Sequence, residues 1–144
     1  MTRPSALRVL IALGSTALGL IHLRLYLTTY RDVPIENLGR SFVLNAVVAV
    51  AAAVVVLLVS HRWAVLAPLA VANATLVAFG LSRTDRGIMG FTERGWTPSP
   101  EAALAVFLEI VTASLCVIAL AIEVQTGGQE TRTRELERTE PERR

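Results

Sequence analysis

Charge is almost absent from three long stretches of this chain. There is none from Phe42 to Ser60 and none from Trp63 to Ser82, and from Ala102 to Ile122 there is only Glu109. A further apolar run begins near Val9 and continues to about Leu27, with His22 and Arg24 as its basic residues. A helix needs about 20 residues to cross a hydrocarbon layer of about 30 Å. The pattern therefore predicts four membrane helices, Ser5–Leu27, Ser41–Ser60, Trp63–Ser82 and Pro100–Glu123. The fold class expected is an all-α membrane protein, an antiparallel bundle of four transmembrane helices.

The connections support those boundaries. Thr28 to Arg40 contains the breaker and turn residues Pro34, Asn37 and Gly39. The second connection is little more than His61-Arg62, which makes the second and third helices a hairpin. The third, from Arg83 to Ser99, mixes Gly87, Gly90, Gly95 and Pro98 with Ile88, Met89, Phe91 and Trp96, as expected of a loop at a membrane interface. Ser99-Pro100 reads as an N-cap followed by proline in the first helical position. Pro68 is expected to bend the third helix without ending it. After Glu123 the chain turns polar. Residues 1–123 thus form the membrane domain, and 124–144 read as a disordered charged tail, with Glu130–Arg134 spaced for a frayed helix.

Composition agrees with the pattern. The chain has 144 residues, 53% of them hydrophobic, and a mean hydropathy of +0.52. Only 18% are charged, against about 25% in soluble domains. All 14 basic residues are arginine, a bias resembling a high-GC bacterial coding sequence. They are scattered at segment ends without a basic stripe, so no nucleic-acid partner is expected. The partners expected are the lipid bilayer and, through self-association or assembly, other membrane subunits. The first segment resembles a signal peptide, but it runs on to Leu27 without a clear cleavage site and is read as an uncleaved helix.

An even number of spans puts both termini on one side. Arg3, Arg8, Arg62, Arg132, Arg134 and Arg138 lie on that side, against Arg24, Arg31, Arg40, Arg83, Arg86 and Arg94 on the other. The positive-inside rule is balanced by these counts. The terminal amine and the charged tail tilt the assignment towards cytoplasmic termini in the cell membrane.

The polar residues within the spans carry the candidate chemistry. At 1.5 Å per residue, His22 lies about 8 Å, Asn45 about 6 Å and Glu109 about 10–12 Å from the long-loop side. Asn73 lies deeper, near the midplane. Each of the first three sits on a stripe of small or polar residues: Ser15, Gly19, His22, Tyr26; Asn45, Ala49, Ala52, Ala53; and Ala105, Glu109, Thr112, Ala113, Cys116. Small and polar residues on one face mark the packing side of a membrane helix. His22, Asn45 and Glu109 are therefore expected to converge inside the bundle. A carboxylate at the centre of a membrane helix costs about 2.5–3.5 kcal/mol on insertion scales. Glu109 needs a partner or a proton; His22 is the first candidate, with Arg24 or Arg83 at the rim as the second. These residues suit either a ligand or proton site or interhelix bonds of about 0.5–2 kcal/mol each.

Other chemistry is not indicated. His22 and His61 fall near opposite faces and do not suit a bis-histidine haem, the ligands are too few for zinc, and Cys116 reads as an inert small residue. No cofactor, metal or catalytic set is assigned. Tyr26, Tyr30 and Trp96 suit an aromatic belt at one face, with Trp63 at the other.

The segments GLIHLRLY, PIENLGRSFVLNAV, LSRTDRGIMGF and FLEI resemble a group of uncharacterised small four-helix membrane proteins common in actinobacteria. The resemblance covers the four helices, excludes the tail, and implies a histidine in the first helix and a glutamate in the last, here His22 and Glu109. It carries no activity. In architecture alone there is an analogy to DoxX-like proteins. The function expected is a non-catalytic accessory or scaffold component of a membrane assembly. The alternative is binding or transport of a small molecule, lipid or proton at the His22–Asn45–Glu109 cluster.

Overall fold

The computed structural model describes residues 5–139, with side chains described as far as Gln125. It is all-helical: α1 (Ala6–Leu25), α2 (Leu38–Leu58), α3 (Leu66–Ser82) and α4 (Glu101–Thr139), with a π-helical turn at Tyr26–Tyr30 and a 3₁₀ turn at Arg62–Val65. All four helices are long and apolar enough to cross a membrane, α1 and α3 counted with their adjoining turns. α1 is central, packing along α2 and α4, while α3 packs on α4 and α2.

Small residues let these helices approach closely. A Cβ on Gly19 would stand 2.9 Å from the Ala46 carbonyl oxygen, so α1 lies directly on the backbone of α2. Ala46, Ala49, Ala52 and Ala53 are buried along the same seam, the arrangement that small-residue faces allow in membrane bundles. Outside, the pattern inverts. Leu13, Leu20, Leu44, Val47, Leu58, Val77 and Phe107 each expose more than half of their surface. A large exposed apolar surface is the informative departure from soluble proteins, and it surrounds the bundle.

α1 begins at the expected serine, Ser5, whose Oγ accepts from the Arg8 backbone N–H. Its far end differs from expectation. Buried positions run Leu18, His22, Leu25 and then Tyr30. A step of five residues stays on one face only if the turn widens, and the Arg31 N–H donates to the Tyr26 carbonyl five residues back. Tyr30 is thereby carried into the interior, 3% exposed, rather than into an aromatic belt.

Pro68 lies in the first turn of α3, directly after the 3₁₀ turn. α4 begins at Glu101, one residue after Pro100, and its backbone stays helical through Thr139. The backbone over 124–139, the segment read from composition as a charged tail with spacing for a frayed helix, is helical. Glutamate and arginine recur there at three- and four-residue spacing, which supports helix without a core. The last residues, 140–144, lie outside the described part.

The end of the bundle away from the long loops is tied by Arg8, only 7% exposed. Its guanidinium donates to the carbonyls of Val56, Val59, Ser60 and His61 and to Glu123 Oε1. Carbonyls at a helix C-terminus lack intrahelical donors and carry partial negative charge. One arginine on α1 thus satisfies the end of α2 and anchors α4.

Candidate functional site

The four helices and the two long connections enclose a cavity of about 280 Å³. Its inner end is polar. His22 of α1, 5% exposed, and Glu109 of α4, 1% exposed, stand with Nε2 and Oε1 3.9 Å apart. That distance is beyond direct hydrogen bonding. Both carboxyl oxygens of Glu109 lack any hydrogen-bond partner, as do the buried hydroxyls of Ser15 and Thr112. His22 Nδ1 lies 2.9 Å from the Leu18 carbonyl oxygen. Only a protonated nitrogen makes that bond, so in the neutral ring Nε2 is the acceptor and it faces the acid.

Asn45 of α2 lines the same cavity, and its Oδ1 accepts from Thr75 of α3 at 3.4 Å. Thr75 is the contribution of α3 that depth counting misses. Asn73 does not join the cluster: it is exposed, and its Nδ2 donates to the Leu69 carbonyl at 2.8 Å on its own helix. Positions 73 and 75 are separated by about 200° around a helix, so only one of them can face inward.

The rim arginines are committed elsewhere. Arg24 pairs with Glu101 at 3.0 Å on the surface. Arg83 pairs with Glu93 at 3.1 Å, lies over the Phe79 ring at 4.1 Å, and donates to the Gly95 and Thr97 carbonyls. Neither is the partner of Glu109. Tyr26 is half-buried and packs beside Gly39, one turn beyond His22 along the chain.

The outer end of the cavity is aromatic and bordered by the loop between α3 and α4. Tyr30 stacks on Phe42 with centroids 4.2 Å apart and meets Phe91 edge-on at 5.5 Å. Its hydroxyl donates to Glu93 Oε1 at 2.7 Å. Glu93 therefore joins α1 to the start of the loop through Tyr30 and Arg83. Between them Ile88 and Phe91 exchange two backbone hydrogen bonds, with Met89 and Gly90 both at positive φ, the conformation of a tight hairpin turn. Gly87 is obligatory there, since it has φ +64° and an added Cβ would lie 2.2 Å from the Phe91 carbonyl oxygen.

At its inner end the site offers one acid and one imidazole within a largely apolar chamber. Among the described residues no three His, Cys, Asp or Glu side chains come together in a way that could hold a metal. The comparisons add no relative: no protein-family profile, curated protein or solved structure matches the chain.

Proposed function

We propose that this chain is a multi-pass membrane protein that binds a small, mostly apolar molecule, carrying a polar end, in the cavity between its helices. One observation carries the reading: a fully buried Glu109 carboxyl with no hydrogen bond lies at the inner end of about 280 Å³ of open volume. Protein interiors are close-packed, and buried polar groups are normally bonded. A chamber combining both departures, just below the usual range of about 300–1,000 Å³ for ligand pockets, is the default binding site.

Binding is better supported than passage. Beyond Thr112 the bundle is filled by Ile11, Val56, Val65, Cys116 and Ala119, which separate the cavity from the Arg8–Glu123 pair. Ala49, Ala52 and Ala53, small residues that could pack against another membrane subunit, are buried within this chain, which favours the ligand reading over the accessory one. In the proposed arrangement the outward leucines and valines meet lipid of the cell membrane, the termini are cytoplasmic and the cavity opens towards the long loops.

The test uses the full chain in phosphatidylcholine nanodiscs with 3-phenylpropan-1-ol as probe, observed by saturation-transfer NMR. Saturable binding is expected, and Ala78→Phe, which projects a ring into the cavity, should abolish it. Equal binding by both proteins would overturn the proposal.

A further inference from the structure

We infer that the ligand's polar end is a protonated amine, so that the site takes a lipophilic amine with its ammonium between Glu109 and His22. This rests on the ligand-binding reading above. Around Glu109 the protein supplies neither a cation nor a hydrogen-bond donor. Four ionisable side chains that can carry charge line the cavity: His22, Arg83, Glu93 and Glu109. Arg83 and Glu93 neutralise one another at 3.1 Å, and Tyr30 spends its hydroxyl on Glu93. Arg24 is taken by Glu101 and Arg8 lies at the opposite end of the bundle. Glu109 is left as an acid without a cation of its own.

The acid and the imidazole nitrogen that faces it present only acceptors to the cavity. His22 uses its Nδ1 proton on Leu18, so Nε2 presents a lone pair, and the two oxygens of Glu109 are unbonded. A ligand that presents only acceptors would add to this excess. An ammonium group has several N–H donors, and it can reach Glu109 Oε1 and His22 Nε2 together across their 3.9 Å separation. A buried charge is tolerated when it is paired and hydrogen-bonded, and here the ligand supplies what the protein omits. The remaining walls suit an apolar body. Leu25, Ala78, Ala105 and Val106 are aliphatic, and Phe42 and Tyr30 add aromatic surface.

The experiment compares 3-phenylpropylamine, cationic at neutral pH, with 3-phenylpropan-1-ol, the same shape with a neutral head. Both are titrated against the full chain in phosphatidylcholine nanodiscs. The amine should bind about tenfold more tightly or better, as a charge-assisted bond replaces a neutral one. Glu109→Gln should bring the two ligands within about twofold of each other, whereas Glu36→Gln, on the exposed first loop, should leave the difference intact. Equal affinities in the unaltered protein would overturn the amine assignment and leave cavity binding standing. Binding of neither probe would remove the underlying function as well. The wild-type comparison stands even if Glu109→Gln fails to accumulate.

Discussion

His22 Nε2 and Glu109 Oε1 face each other across 3.9 Å, each buried, with no hydrogen bond between them. A pair built as glue between helices would be expected to close to bonding distance. This one leaves the acid unsatisfied, which costs about 1–3 kcal/mol for a neutral group and more for a charged one. Glu109→Leu should therefore hold or raise the thermal unfolding midpoint in detergent while amine binding disappears. A loss of about 2 kcal/mol or more would mean that the acid holds the helices together.

Arg8 has the opposite role. Arg8→Met removes donors from four carbonyls at the end of α2 and from Glu123. Destabilisation of about 2–4 kcal/mol is expected, and Arg8→Lys should rescue only part of it, because an ammonium cannot reproduce the planar fork. Equilibrium unfolding in mixed micelles measures both. An unchanged midpoint for Arg8→Met would remove the tie.

The loop over the cavity depends on Tyr30. Tyr30→Phe keeps the stack on Phe42 and deletes the bond to Glu93. The expected cost is about 1 kcal/mol, together with faster amide exchange at Ile88 and Phe91, whose mutual hydrogen bonds form the hairpin. Exchange at Ala49 and Val56 in α2 should not change.

Gly19→Ala tests the close contact of α1 and α2. The added methyl would meet the Ala46 carbonyl at 2.9 Å, and overpacking of this kind costs about 1–3 kcal/mol. The same change at Gly80, where no atom lies within 4 Å of the added Cβ, should be neutral or stabilising in its helix. The pair of variants read side by side by thermal unfolding separates packing from propensity.

The helices and the meeting of His22 with Glu109 were legible because hydropathy marks spans and a constant rise per residue converts position into depth. Depth does not give direction around the helix. Asn73, expected near the midplane, faces out, while Thr75, two residues on, lines the cavity. Tyr30 escaped for a related reason: the π-helical turn shifts its phase, and no apolar pattern announces that widening. Arg8 could not be read at all, since its partners are mostly backbone carbonyls 48 to 53 residues away, which leave no side-chain signature. The rim arginines misled because Glu93 and Glu101, their actual partners, lie in or beside a loop whose path the sequence leaves open.

The most direct measurement is the labelling of carboxyl groups in the folded protein with dicyclohexylcarbodiimide, a small apolar reagent that adds to an acid shielded from water. Peptide mass spectrometry then locates the adduct. The account predicts modification at Glu109, diminished when 3-phenylpropylamine occupies the cavity. Labelling confined to Glu93, Glu101 and Glu123, with Glu109 untouched, would contradict it.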